Sequence, residues 1–354
     1  MSDPRKDLAR ARVVVVKIGS KTLAGSDRIY ETLAQDLKVA RDRGVRVVIV
    51  SSGAIALGVK KLGYRGRPKE MARLQAAAAA GQSLLMRAYE EAFSAHGLVV
   101  AQVLLSHADL ADRTRGNNAR AALSALLDQG AIPILNENDS VAVDEIKFGD
   151  NDQLSSMVTP LVDATALLLL SDVDGLLDAK GRRVRAVKDI ATEAVPLVQS
   201  SKSDVGTGGM GSKVEAARRA TLAGAHVVIA DARVPGIVGR VLAGEDVGTV
   251  FVPPERRLSA KKHWIAFTLR PRGDLVLDAG CVTAVRDRGK SVLTIGILGV
   301  RGAFNPGDSV RLLDAAGTEL GRGLARLGTP DCARLAHRDE ESTVAVHRDE
   351  MVIW

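Results

Sequence analysis

Five short segments carry residues that could do chemistry. Lys17-Ile18-Gly19-Ser20 closes the first apolar run of the chain. A lysine at a strand end, followed by a glycine that exposes backbone N–H groups, suits an anion. Ser51-Ser52-Gly53-Ala54 closes the second run and joins hydroxyls to a helix start, whose unpaired N–H groups attract carboxylate or phosphate. Asn136-Glu137-Asn138-Asp139 closes a third run, and Gly149-Asp150-Asn151-Asp152 opens a helical stretch soon after. These two acidic clusters exceed what helix capping needs. They would serve a ligand ammonium, the positioning of lysines, or Mg²⁺ through oxygen ligands. Outside these five, Ser171-Asp172-Val173-Asp174-Gly175 is another strand-end loop with carboxylates, compatible alone with any turn.

The fifth segment, Gly206-Thr207-Gly208-Gly209-Met210-Gly211-Ser212-Lys213, leads into a helix. It contains G-x-G-x-x-G, with Asp231 twenty residues beyond Gly211. A dinucleotide fingerprint needs a strand before the glycines. Here Gln199–Asp204 is polar, so that reading fails. A P-loop fails too, because Ser212 precedes Lys213 in the reverse of its order. What both share survives: glycines that admit phosphate oxygens to the backbone, a helix N-terminus, and a lysine.

Two lysines, two anion cradles and an acidic cluster on different strand ends outline a phosphoryl-transfer site, where positioning and electrostatics dominate. The six histidines (96, 107, 226, 263, 337, 347) lie outside all five segments, so no general base is evident. A hydroxyl nucleophile often needs one, whereas a carboxylate is already ionised at neutral pH. Its difficulty is approaching phosphate: each pair of like charges 4 Å apart costs about 4 kcal/mol at an effective dielectric of 20. Lysines, helix N-termini and Mg²⁺ offset that repulsion as charge develops. The residues therefore favour a kinase acting on a carboxylate.

The elements that must hold these segments alternate. Val13–Ile18, Val45–Val50, Val99–Leu105, Ile132–Leu135, Ala166–Leu170 and His226–Ala230 are strand-like and apolar on both faces, as parallel strands covered by helices are. Helical stretches lie between them: Tyr30–Arg43, Met71–Ala95, Asn117–Gln129, Asn151–Val162 and Ser212–Ala223. Gly44, Gly97, Gly130 and Gly224 follow such stretches, where C-terminal glycines belong. The pattern predicts a three-layer αβα sandwich with a mostly parallel sheet over residues 1–252. Pro253-Pro254 and a basic run make 253–263 a linker. Short strand-like pieces follow over 264–354: Trp264–Leu269, Leu275–Leu277, Ser291–Ile295, Ser309–Leu313 and Thr343–His347. They predict a small all-β domain. Ser140–Phe148 reads as a hairpin.

Composition narrows the function further. Only 3% of the 354 residues are aromatic, which argues against stacking platforms for sugars, flavins or bases. The net charge of +7 is uneven. The first 250 residues are nearly balanced, 33 basic against 29 acidic, while residues 251–300 carry nine against four. Such a stretch can attract nucleic acid or simply be solvated. Cys281 and Cys332 predict free thiols in a reducing compartment. No secretory signal and no apolar run near ~18 residues is visible, which predicts a cytoplasmic protein without a membrane span.

In order and in content, the five segments resemble those of the glutamate 5-kinases, within the amino acid kinase superfamily. The closing Val344-Ala345-Val346-His347-Arg348-Asp349-Glu350-Met351 resembles the end of the PUA domain of bacterial members. The resemblance implies ATP- and Mg²⁺-dependent phosphorylation of the L-glutamate γ-carboxylate, the first step of proline biosynthesis. It implies Lys17 and Lys213 on the phosphates and the transferring group, with Asp152 positioning both. Ser52, Asp139, Asn151 and Asp150 would bind glutamate. Lys17, Ser171, Asp172, Thr207, Gly208, Gly209, Met210, Gly211, Ser212 and Lys213 would bind ATP. It further implies a homo-tetramer inhibited by proline, and RNA as a possible ligand of the PUA-like domain. Relatives often continue the Asp-x-x-Gly-Leu loop with a tyrosine and Asp-Pro. Gly175-Leu176-Leu177-Asp178-Ala179-Lys180-Gly181 has neither, so aliphatic and backbone groups are expected around adenine.

Overall fold

The computed structural model describes residues 3–25, 28–141, 151–200, 209–339 and 342–354. The chain divides into two compact units, 1–257 and 258–354.

The first unit is built on eight described strands: β1 (Val13–Ile18), β2 (Arg46–Ser51), β3 (Val100–Leu105), β4 (Ile132–Glu137), β5 (Ala166–Ser171), β6 (Ala186–Val187), β7 (His226–Asp231) and β8 (Thr249–Phe251). Their order in the sheet is β3-β4-β2-β1-β5-β7-β8-β6. All neighbours are parallel except β7 and β8. The sheet is covered by α1 (Arg28–Asp42), α2 (Ala54–Lys61), α3 (Met71–Ser94), α4 (Arg113–Asp128), α5 (Asn151–Leu161) and α6 (Met210–Leu222).

Strand residues alternate between the two faces. Val14, Val16, Val47, Ile49, Ile134 and Leu168 join one core with α1 and α3 residues such as Leu37, Leu85 and Tyr89. Val13, Val15, Val48, Val50, Leu135 and Leu167 join the other with α4, α5 and α6 residues such as Leu123, Val158 and Ala217. That division is the expected three-layer sandwich. Gly44, Gly97, Gly130 and Gly224 all have positive φ at helix ends, as their positions predict. Phe251, just ahead of the linker, is fully buried as the last residue of β8.

The second unit has a six-stranded sheet, β10-β14-β13-β12-β9-β11, from β9 (Gly273–Leu277), β10 (Val292–Leu293), β11 (Ile297–Gly302), β12 (Ser309–Leu313), β13 (Glu319–Ala325) and β14 (Val344–Ile353). Two short helices, α7 (Ala279–Arg286) and α8 (Thr329–Leu335), pack on it around Cys281 and Cys332, which are free and buried. The expected strand Trp264–Leu269 is not one. Trp264–Thr268 forms a π-helical turn. A short continuous apolar run does not distinguish strand from buried helix. Here Phe267 packs against the rings of His263 and Trp354. The hairpin expected at Ser140–Phe148 falls largely on 142–148, outside the described residues.

Candidate active site

The carboxyl ends of β1, β2, β4 and β5 converge where the chain order reverses across β1, the usual ligand position in an open α/β sheet. Backbone contacts draw the following loops together: Ser52 N–H donates to Ile18 O (3.1 Å) and Gly19 N–H to Leu170 O (3.4 Å).

Lys17 shares its strand parity with Val13 and Val15, so it leaves the sheet toward α5 and α6. Both helices begin there. Asp152, on the first turn of α5, stands 2.6 Å from Lys17 Nζ through Oδ1 and 3.4 Å from Lys213 Nζ through Oδ2. Ser212 Oγ also donates to Oδ2, at 2.7 Å. All three charged groups are buried, Asp152 to 1% exposure. Burial alone would raise the Asp152 carboxyl, but Lys17, Lys213 and the Ser212 hydroxyl outweigh it and hold the group below the ordinary carboxylate range. Burial pushes the Lys213 ammonium down, and Lys17 adds to this. Asp152 and Asp172 oppose the shift without cancelling it.

A second cluster joins the ends of β2 and β4 to the first residue of α5. Asn151 Nδ2 faces Ser51 O (3.0 Å), Ser52 Oγ (2.8 Å) and Asn136 Oδ1 (3.0 Å) as their donor. Asn136 Nδ2 donates to Gln82 Oε1 at 2.9 Å, across to α3. Ser51 Oγ and the Tyr89 hydroxyl share a bond of 2.9 Å. Gly53, at φ 111°, turns the chain from this cluster into α2.

A third group follows β5 and β7. Ser171 Oγ donates to Asp172 Oδ1 at 3.0 Å. Burial raises Asp172, but this bond, the residue's own N–H, Lys21 and Lys213 bring it below its ordinary value. Arg233 pairs with Asp231 (2.6 Å) and donates to Asp172 O (3.1 Å), which ties the two loops together.

Of the residues singled out from sequence, Lys17, Asp152, Ser212 and Lys213 meet directly. Ser52 and Asn151 meet in the second cluster, and Ser171 pairs with Asp172. Gly209, Met210 and Gly211 form the start of α6, with Gly209 in extended conformation as its N-cap. Asp139 lies half-buried in the turn after β4. Asp150, Thr207 and Gly208 lie outside the described residues. Sequence reasoning quoted Asn136 and Asp231 without giving either a site role, and passed over Gln82 and Arg233. Strand parity would have found Asn136, which shares its face with Ile132 and Ile134 and so points toward α3. Gln82 gave no signal, because one amide in an alanine-rich helix is unremarkable. Among the described residues, no group of three His, Cys, Asp or Glu side chains could hold a metal ion. None of the described helices is long and apolar enough to cross a membrane.

Comparison with known proteins adds to this geometry. The family model "Amino acid kinase family" matches residues 12–231 and that of the PUA domain residues 273–347. The chain is 46% identical to the glutamate 5-kinase of Myxococcus xanthus, over 100% of this chain and 99% of that protein. It is 43% identical to the glutamate 5-kinase of Geobacter metallireducens, over 98% of each. Among solved structures, the carbamate kinase from Giardia lamblia bound to AMP-PNP resembles it with a TM-score of 0.51. That similarity covers 70% of this chain and 100% of the other at 18% identity, a likeness of fold.

Proposed function

The chain belongs to the amino acid kinase family, and we propose that it moves the γ-phosphoryl group of ATP to the γ-carboxylate of L-glutamate. The product is L-glutamyl 5-phosphate, the entry to proline biosynthesis. The buried Lys17–Asp152–Lys213 cluster at the carboxyl end of the sheet is the observation that carries this reading.

The chemistry requires one anion to attack another. A γ-carboxylate oxygen forms a bond to phosphorus as the bond to the ADP oxygen breaks. No proton needs to be removed, in keeping with an acceptor that is already ionised. Two ammonium groups sharing one carboxylate leave a net positive charge at the strand ends, where the dielectric is low and charge stabilisation strong. Lys17 and Lys213 would contact the phosphoryl oxygens. Asp152 and Ser212 hold the lysines at fixed positions, so no reorganisation accompanies the transfer. The start of α6, from Gly209 to Ser212, would receive further phosphate oxygens on its N–H groups, with Ser171, Asp172, Thr207 and Gly208 completing the nucleotide site. Mg²⁺ would enter as part of the Mg²⁺–ATP substrate, held by phosphate oxygens and water.

Ser52, Asn151, Asp139 and Asp150 would hold glutamate. With Asn151 Nδ2 committed to three oxygens, its Oδ1 faces the other way as an acceptor for an α-ammonium. That favours a free amino acid over an acetylated one. A cytoplasmic location, a tetrameric assembly, inhibition by proline and RNA binding by the second unit extend the same proposal.

The decisive assay traps the acyl phosphate with hydroxylamine. A hydroxamate that depends on ATP, Mg²⁺ and L-glutamate is expected. A product with aspartate or N-acetylglutamate and none with glutamate would overturn the substrate and keep the reaction class.

A further inference from the structure

We propose that Gln82 is a positioning residue of the amino-acid pocket, acting through Asn136 on Asn151 and Ser52. The inference rests on glutamate being bound at that cluster.

Carboxamides can be placed either way round, so their orientation must be derived from partners. Here a backbone group decides it. Glu137 N–H donates to Asn136 Oδ1 at 2.9 Å, and a main-chain N–H cannot turn into an acceptor. Asn136 must therefore present Nδ2 to α3. Gln82 must then answer with Oε1, which it does at 2.9 Å. The same Oδ1 accepts from Asn151 Nδ2, so the Asn151 amide is fixed in turn. Asn151 fills an acceptor position of Ser52 Oγ, which leaves the Ser52 hydroxyl hydrogen to donate elsewhere. One direction thus runs through four side chains. It ends with a donor on Ser52 and an acceptor on Asn151, the complement of a carboxylate and an ammonium.

The direction is kept against the interest of Gln82 itself. Its Nε2 is buried and has no hydrogen-bond partner. Turning the amide over would give Nε2 no better neighbour, because Asn136 Nδ2 is also a donor. A buried amide donor left unpaired is unfavourable. Asn136 is 3% exposed, so without Gln82 its own Nδ2 would be the unpaired group. Asn136 could escape only by moving, and Asn151 would move with it. The neighbouring Gly81 fixes the height of Gln82, since its Cα faces the Ala54 carbonyl too closely for any side chain.

The test compares Gln82→Met and Gln82→Glu in the full-length protein by hydroxamate formation. Gln82→Met keeps length and apolar packing but accepts no hydrogen bond. KM for glutamate should rise about tenfold or more, with KM for ATP and kcat within roughly threefold. Gln82→Glu supplies the acceptor and resembles the amide while protonated. Burial favours its neutral form, so its KM for glutamate should be near wild type at about pH 6 and climb toward about pH 8.5 more steeply than wild type. A folded Gln82→Met enzyme with unchanged KM for glutamate, or with both KM values raised in parallel, would overturn the assignment. So would a Gln82→Glu enzyme that follows the wild-type pH dependence. Failure of wild type to turn over glutamate would instead strike the substrate reading.

Discussion

Asp152 is the residue on which the two lysines depend. Removing one partner of a buried charge pair leaves the other uncompensated. Asp152→Asn strands two ammonium groups, so it should cost about 3–5 kcal/mol in urea unfolding and reduce turnover. The pH dependence has a definite sign. The folded Asp152 carboxyl lies below the ordinary range, so the unfolded chain takes up this proton first as pH falls. The contribution is complete above the unfolded value of about 3.9 and lost as pH drops through the lower folded value. Asp152→Asn should lack that part of the acid transition. Lys213 tests the chemistry more directly. Lys213→Ala should abolish hydroxamate formation while leaving the circular dichroism spectrum intact. Wild-type kcat in that variant would remove it from the catalytic set. The free-enzyme ammonium loses its proton below the ordinary lysine range. The profile of kcat/KM for ATP should therefore fall on the alkaline side earlier than a free lysine would. Lys213→Arg, if active, should move that limb upward, since guanidinium keeps its charge.

Helices α2 and α3 approach backbone to backbone at two points. A Cβ on Gly58 would strike the Ala77 carbonyl, and one on Gly81 the Ala54 carbonyl, so backbone faces backbone at both points. Ala54 opens α2 directly after Ser52-Gly53, so the crossing sets where the Ser52 loop sits. Gly81→Ala forces the helices apart, and overpacking of this kind costs roughly 1–3 kcal/mol. Thermal unfolding should register that loss, and KM for glutamate should rise with little change in KM for ATP, which depends on other elements. The elements themselves were largely legible. Runs such as Ala166–Leu170, apolar on both faces and alternating with helical stretches, read as covered strands. The helix expected from Ser212 followed from the glycines before it, and α6 begins two residues earlier, at Met210. The Trp264–Thr268 turn was not legible, because four successive apolar residues carry no period. Nor was the α2–α3 crossing, since a glycine inside an alanine-rich helix looks neutral until the partner backbone is known. The site divides the same way. Lysines and carboxylates at strand ends declare themselves by charge. Asn136 and Gln82 act through the direction of their amides, which depends on a backbone N–H that no spacing reveals.

The chain divides into two units with separate cores. Every described residue of the three clusters belongs to 1–257, whose two cores contain no residue beyond Phe251. The second unit has its own core, from Leu275 to Met351. A domain that buries its own core can in principle fold alone. Charge does not divide at the same boundary: 1–257 carries 35 basic against 30 acidic residues and 258–354 carries 14 against 12, although basic residues are densest at 251–300. In the proposed reaction Lys17 and Lys213 attract the anions, and both lie in 1–257. Ending the chain after Arg257 should therefore leave ATP- and glutamate-dependent hydroxamate formation within roughly threefold of the full-length enzyme. The truncated protein should also lose most of any salt-sensitive binding to structured RNA, because the proposed RNA site lies in the PUA-matching second unit. A truncated protein that is folded but inactive would show that the second unit completes or holds the catalytic one. Undiminished RNA binding would place the attraction in the catalytic unit, which carries the larger net positive charge.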